Sequence, residues 1–315
     1  MLRASRSARL GAAALALAAA PAIIAPAARA QGASASATAD DPRWDAIRRV
    51  FGQGKTEEGY FRVELPRSDL RVRIAGDSLS PRFEFTSYAG FVPVGTKDVL
   101  AMGEVVLRAD EVPAALAEAH RRGVHVSALH NHLIGETPRI MYLHVIMRGA
   151  ADSVATALRS VFAKTATPLA AGKDESPSAD WAAIDAILGK HEEAEGKVAE
   201  WVFPREERLR VHGVPVKSNG TIETASEVVF QQLGGGRTAS TGELFVLPTE
   251  VDPVARALDE HGLHVTAVHN HMVEEEPRMY WIHWYAAGDG PQLARGVEAA
   301  LSLMHGARKS EAKGQ

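Results

Sequence analysis

The chain has 315 residues, 46% of them hydrophobic and 23% charged, which is enough apolar material for one large or two moderate cores. Its formal net charge of −4 gives no electrostatic basis for binding nucleic acid or an anionic membrane. The absence of cysteine excludes disulfides, thiolate metal sites, iron–sulfur clusters, a cysteine nucleophile and a lipid-modified N-terminal cysteine.

Arg3, Arg6 and Arg9 precede an apolar run from Leu10 to Ala25, and Ala28-Arg29-Ala30 forms a small-x-small cleavage site. This order reads as a secretory signal peptide over residues 1–30, with a mature chain beginning at Gln31. Pro21 and Pro26 interrupt the run, which is short for a membrane span, so no stable membrane insertion is expected after cleavage. No adjacent Arg-Arg pair points to twin-arginine export. The expected location is therefore periplasmic or secreted. Residues 31–43 are rich in Ala, Ser and Asp and read as a disordered tail.

From Trp44 onward the chain contains the same unit twice, over 44–163 and 181–304. A Pro-, Gly- and charge-bearing linker (164–180) separates the copies, and a short tail (305–315) follows. Trp44-Asp45-Ala46-Ile47 aligns with Trp181-Ala182-Ala183-Ile184, Glu84 with Glu223, Glu104 with Glu243 and Gly123 with Gly262. Each unit opens on a helix, with Trp44, Ile47, Val50 and Phe51, or Trp181, Ile184, Ile187 and Leu188, at helical spacing. Alternating patterns predict strands over 60–65, 70–74, 82–91 and 99–107. Asp110 and Thr249 are expected N-caps of helices over 112–122 and 251–261, which Gly123 and Gly262 stop. Strands over 124–132 and 263–271 lead through a turn into strands over 140–148 and 279–287. Helices over 152–162 and 291–304 close the units. The predicted fold class is α+β, a tandem duplication of a sandwich-like α/β unit with mainly antiparallel sheets. A cupin-like β-barrel is the alternative, suggested by Gly-x6-His-x-His-x3-Glu and disfavoured by the helix directly upstream.

The duplicated segment that carries chemistry reads His130-Asn131-His132, Glu136, Pro138-Arg139, His144 in the first copy. It returns as His269-Asn270-His271, Glu275, Pro277-Arg278, His283 in the second. Alternate strand residues share a face, so His130 and His132 point one way and His125 the other. A turn centred at Thr137 places His130 opposite His144, and one centred at Glu276 places His269 opposite His283, close enough for two imidazoles to share an ion. An isolated strand histidine is more often satisfied within the packing than bound to a metal. Three per copy at aligned positions favour ligands.

The expected metal ligands are His130, His132, His144, His269, His271 and His283, for a divalent transition metal with zinc the first expectation. Glu136 and Glu275 are the catalytic candidates, as a fourth ligand or a general base. Arg139 and Arg278 are expected to hold an anionic group, or else to pair with those glutamates. Tyr142 and Trp281 are expected to stack on a ring of the substrate. Glu104 and Glu243 are secondary candidates, more often hydrogen-bonded charges. The adjacent His-Asn-His letters lack the dispersed layout and basic surface of the nuclease motif of that name. The zinc-protease His-Glu-x-x-His, the P-loop and the Gly-x-Ser-x-Gly elbow are absent.

With its paired His-Asn-His…Glu-x-Pro-Arg…His segments, N-terminal leader and duplicated unit, the chain resembles the LppY/LpqO family of bacterial secreted proteins and lipoproteins. The resemblance covers nearly the whole mature chain. It implies export and duplication and assigns no reaction. Some members look lipid-anchored; the lack of cysteine here implies a free, soluble form. Two functions follow as expectations: an exported metal-dependent hydrolase with a His/Glu site in each repeat, or a non-catalytic periplasmic protein that binds a metal or small ligand. A small-molecule or cell-envelope ligand suits both; nucleic acid suits neither, and the oligomeric state is left open.

Overall fold

A computed structural model describes residues 40–169 and 179–305. The predicted signal peptide and most of the adjoining tail, the middle of the linker and nearly all of the C-terminal tail lie outside these residues.

Helix α1 (Pro42–Phe51) starts on Asp41, whose carboxylate accepts from the Arg43 amide, and ends at Gly52 in the left-handed region. Strands β1 (Lys55–Glu57), β2 (Tyr60–Pro66), β3 (Arg73–Ile74), β4 (Asp77–Ser78), β5 (Thr86–Val94) and β6 (Asp98–Arg108) follow. Then come α2 (Val112–Arg122), β7 (His125–His130), β8 (Ile140–Ala150) and α3 (Ala151–Phe162). The second copy runs α4 (Ala182–Leu188), β9 (Glu193–Glu195), β10 (Val198–Phe203), β11 (Leu209–Val211), β12 (Val214–Val216), β13 (Ser226–Gln232) and β14 (Thr238–Val246). It ends with α5 (Val251–Glu260), β15 (His264–His269), β16 (Glu275–Glu276), β17 (Tyr280–Gly288) and α6 (Gly290–Leu301).

Each copy builds one six-stranded antiparallel sheet, in the order β1-β2-β5-β6-β8-β7 and, reversed, β15-β17-β14-β13-β10-β9. The fold is thus α+β and tandemly duplicated, and no sheet closes into a barrel among the described residues. The strands alternate between two apolar layers. Phe61, Val63, Leu143 and Val145 face outward and pack with Trp44, Leu158 and Phe162 of the helices; Trp201, Phe230, Leu244 and Trp284 do the same in the second copy. The other faces meet between the copies. Leu100, Met102 and Ile146 pack with Leu209, Phe245 and Trp281, while Phe83, Phe85 and Tyr142 pack with Val198 and Val229. Helices therefore lie outside and the two sheets face each other, so whatever points inward belongs to both copies.

Four local expectations change. Only Arg73 and Ile74 of the 70–74 segment form a strand, because the chain turns at once to pair them with Asp77 and Ser78. The expected strand from Arg82 starts at Thr86, since Glu84 takes a left-handed φ of 71° that no strand accommodates. Glu111 and Glu250, not Asp110 and Thr249, sit at the helix N-caps, and neither side chain caps its helix. Their carboxylates instead meet the buried guanidinium groups of Arg67 (3.0 Å) and Arg205 (2.8 Å), charges that cannot be left alone away from water. Finally, His130 lies opposite Tyr142, and His144 opposite Ala128. The connection centres on Glu136, whose Oε1 accepts from the Ile140 amide at 3.2 Å and ties the loop. The shift is an even one, so His130 and His144 keep the same face.

Candidate metal centre

Strands β7 and β15 each carry a bulge, at Ser127 and Thr266, where one extra residue has no partner. The bulge reverses the face count, so His125, opposite Ile146, shares the side of His130 at the exposed end of its strand, contrary to simple alternation. It also frees two hydroxyls to cross between copies: Ser127 Oγ donates to the His271 carbonyl and Thr266 Oγ1 to the His132 carbonyl. The two His-x-His segments are pinned together by this reciprocal pair.

The six histidines consequently form one cluster. His130 stacks on His269 with ring centroids 3.5 Å apart, His132 on His283 at 3.7 Å and His144 on His271 at 3.8 Å. Exchanging the copies maps this set of pairs onto itself, which is an internal two-fold arrangement. Tyr142 covers His132 at 3.5 Å and Trp281 covers His271 at 4.0 Å, fixing those ring planes.

Glutamates complete the cluster. Glu104 lies directly opposite His144 on the neighbouring strand, and Glu243 opposite His283. Glu104 Oε2 is 3.3 Å from His132 Nε2 and 3.2 Å from His144 Nε2; Glu243 Oε2 is 3.4 Å from His271 Nε2. Gly242 beside Glu243 has a φ of 146°, and a Cβ there would fall 2.2 Å from the Glu227 carbonyl, so only glycine allows the close strand approach. Glu84 joins the copies, 2.8 Å from His132 Nδ1 and 3.7 Å from His283 Nδ1; Glu223 lies 3.7 Å from His271 Nδ1. Both residues hold left-handed backbones, with φ of 71° and 50°, an unfavourable conformation for glutamate that the surroundings must enforce.

Most of these side chains are almost wholly withdrawn from water, with His283 at 0%, His132 and His144 at 2% and Glu104 and Glu243 at 4% exposure, while His130 and His269 are partly exposed. Yet Nε2 of all six histidines, Glu104 Oε2, Glu223 Oε2 and Glu243 Oε1 have no hydrogen-bond partner. Buried polar atoms are normally paired, so a set of orphans converging on one space calls for a missing partner. The Nε2–Oε2 separations are of the size found between ligand atoms around one ion. They are poor hydrogen bonds, but donors on a tetrahedral ion with bonds of about 2.1 Å stand about 3.4 Å apart. Triplets such as His130/His132/His144, His132/His269/His283, His144/His269/His271 and Glu243/His271/His283 each hold donor atoms within 4.8 Å of one another. Two of these four triplets mix the two copies.

Electrostatics agree. Burial pushes Glu84 up to about 8 and Glu223 up to about 7, the latter restrained by Arg62. Burial and neighbouring carboxylates raise Glu104 and Glu243 well above the usual range. Burial holds His130 down at about 3 and His269 at about 2, and the other four imidazoles well below their ordinary value. The imidazoles are thus neutral with a free lone pair, and the carboxylates need a proton or a cation.

A family model described as Domain of Unknown Function (DUF1259) matches the chain twice, over residues 45–164 and 182–303. The chain belongs to this family. No curated protein matches it in sequence. Each DUF1259 unit supplies three histidines and two glutamates to the shared cluster. The other sequence candidates of the two units lie beside it. Arg139 and Arg278 are about half exposed and pair with Glu136 (3.3 Å) and Glu275 (2.8 Å), the second of the two roles expected for them. Glu136 and Glu275 themselves are in none of the ligand triplets. Tyr142 and Trp281 are fully buried under histidine rings. Glu84 and Glu223 carry no sequence signal beyond being aligned. Glu104 and Glu243 do carry one, an acid in the same register of an apolar strand in both units. Among the described residues no helix is long and apolar enough to cross a membrane.

Proposed function

We propose that the two DUF1259 units together hold at least two divalent transition-metal ions in a single centre, and that binding these ions is the core of the protein's function. The observation that carries this reading is the convergence of six neutral imidazoles and three carboxylates (Glu104, Glu223 and Glu243), from both units, whose buried atoms lack partners at ligand-to-ligand spacing. One ion takes about four such donors, so these nine exceed what a single ion uses. Imidazole and carboxylate without thiolate suit zinc first, and manganese, iron, nickel or copper by geometry.

A metal-dependent hydrolase is the second reading, favoured by Glu84 and Glu223. Their values of about 8 and about 7 suit a general base near neutral pH, and their strained backbones are of the kind found at functional sites. Glu136 and Glu275, whose Oε1 atoms accept backbone amides while their Oε2 atoms are buried without a partner, are the other base candidates. A bound ion would supply Lewis-acid polarisation of the scissile group. The adjoining cavity, about 80 Å³, restricts any substrate to a small molecule, which a cell-envelope fragment could present only by a narrow end.

Export and the narrower likeness to the LppY/LpqO proteins are supported by the N-terminal sequence and the paired motifs. Native protein purified without chelator should begin at Gln31 and contain two or more equivalents of metal by elemental analysis. His132→Ala and Glu104→Gln should each lower that content with the circular dichroism spectrum unchanged. Protein that arrives metal-free and takes up no zinc, cobalt or manganese in equilibrium dialysis would sink the metal reading; hydrolysis that survives chelation would sink only the second.

A further inference from the structure

We propose that small molecules reach the metal centre at the His130–His269 pair, and that this opening prefers a nitrogen or oxygen donor carried on an apolar group. The inference rests on the metal-centre reading and adds to it a side of approach and a class of ligand. The six imidazoles are not held alike. Four of them lie in two three-ring stacks, Tyr142–His132–His283 and Trp281–His271–His144, with centroid spacings of 3.5, 3.7, 4.0 and 3.8 Å. All four are buried. His130 and His269 stack on each other at 3.5 Å, and Tyr142, at 6.1 Å from His130, is too far away to cover it. Both residues of the pair are partly exposed. Their Nδ1 atoms meet the Asn131 and Asn270 carbonyls at 3.3 and 3.2 Å, so each lone pair belongs to Nε2, which is buried. Each residue of the pair thus spans from the centre to the surface.

Position in the fold explains the difference. His130 and His269 end β7 and β15, the edge strands of their sheets. The crossed bonds from Ser127 and Thr266 hold those two segments together, so both residues surface at one place on the internal two-fold. The small cavity beside Glu104 and Glu243 is lined by His132 but by neither His130 nor His269, so the pair marks a separate approach.

The same two segments carry the apolar surface of the molecule. Leu129, Ile134, Val268 and Val273 are between 41% and 59% exposed, and they are four of the five exposed large hydrophobic residues among the described ones. They come as aligned pairs, one residue before and four residues after the histidine in each unit. Leu129 lies opposite Leu143 and Val268 opposite Ile282, so these two flank the histidines from the outer sides of the sheets. Ile134 and Val273 stand in the loops that follow. A single exposed leucine or valine is ordinary, but four repeated beside one opening make a patch of the kind that binds a partner. The charges on those loops are already paired, Arg139 with Glu136, and Arg278 with Glu275 and the Val273 carbonyl. The occupant that suits the opening therefore gives a lone pair to the ions behind the histidines and leaves an apolar tail among these four side chains. A second copy of the chain would cover the patch without supplying the lone pair.

The test titrates full-length protein loaded with Co²⁺ with imidazole and with 1-butylimidazole, which carry the same donor and differ in the apolar tail, and follows the visible absorption of the metal. Both should shift the wild-type spectrum, and 1-butylimidazole should reach half-saturation at roughly tenfold lower concentration, because its methylenes leave water. Leu129→Ala combined with Val268→Ala should shrink that advantage. Leu303→Ala, at the exposed hydrophobic residue after α6, should leave it intact. His130→Gly should bind imidazole more tightly than wild type, whereas His144→Gly, at a buried position, should not. Equal midpoints for the two imidazoles, or a His144→Gly response as large as that of His130→Gly, overturn the opening and leave the centre standing. Wild type that takes up no cobalt overturns the centre, and the opening with it. A wild-type dimer that Leu129→Asp with Val268→Asp converts to a monomer assigns the patch to a second copy and overturns the ligand. Should His130→Gly fail to fold, the wild-type titrations and the Leu129→Ala, Val268→Ala variant carry the test.

Discussion

At the scale of single residues, buried imidazoles and buried carboxylates pull the pH response in opposite directions. Burial lowers the histidines, to about 3 for His130 and about 2 for His269, against 6.5 in the unfolded chain. Below 6.5 the unfolded chain binds more protons, so this group costs stability as pH falls. Burial raises the glutamates, to about 8 for Glu84 and about 7 for Glu223, against 4.5 unfolded. Between those limits the folded protein holds the extra protons, so this group costs stability as pH rises. Above 6.5 only the second effect remains. The melting temperature of metal-free protein should therefore fall as pH climbs from about 6.5 to about 8, and zinc, by replacing the protons, should abolish that fall. A metal-free melting temperature that rises over this interval would show that the carboxylates are not held as described.

At the scale of elements, the strands and helices follow from periodicity, but their joints do not. Alternation in Tyr142-Leu143-His144-Val145 fixes which residues face inward. The bulges at Ser127 and Thr266 are invisible in it, because one extra residue leaves no mark on composition. The helix starts are similar. Asp110 and Thr249 have the chemistry of caps, yet Glu111 and Glu250 are drawn to that position by Arg67 and Arg205, which lie some forty residues earlier in the chain. Arg67 is fully buried, with Glu111 at 3.0 Å, Asp69 at 2.9 Å and the Val106 carbonyl at 2.6 Å around it. Removing it strands a buried carboxylate, so Arg67→Ala should lower stability to urea by about 3 kcal/mol. A loss under about 1 kcal/mol would mean that the pair is hydrated and does not anchor the helix.

At the scale of the whole molecule, the copies are halves of one structure. Each sheet has its outer face covered by its own helices and its inner face covered by the other copy's sheet together with the β3–β4 and β11–β12 segments. A single copy would expose Tyr60, Leu100, Met102 and Ile146 to water, at about 1.5–3 kcal/mol for each such side chain. Residues 44–163 produced alone should therefore aggregate or pair as a homodimer that rebuilds a six-histidine centre, which size-exclusion chromatography and metal analysis would report. A stable monomer with three histidines and a full metal complement would contradict a shared centre.

The sequence by itself determined the duplication, the α+β class and the inward face of His130, His132 and His144 with their counterparts, because periodicity and spacing are local properties of the chain. Tertiary structure alone decided that these histidines form one cluster instead of two, that Glu84 and Glu223 join Glu104 and Glu243 beside them, and that Glu136 and Glu275 stand outside the ligand triplets. The reason is physical. A side chain's face is set by its own strand, whereas the groups it meets across the interface are set by how two sheets stack, which no spacing along the chain records.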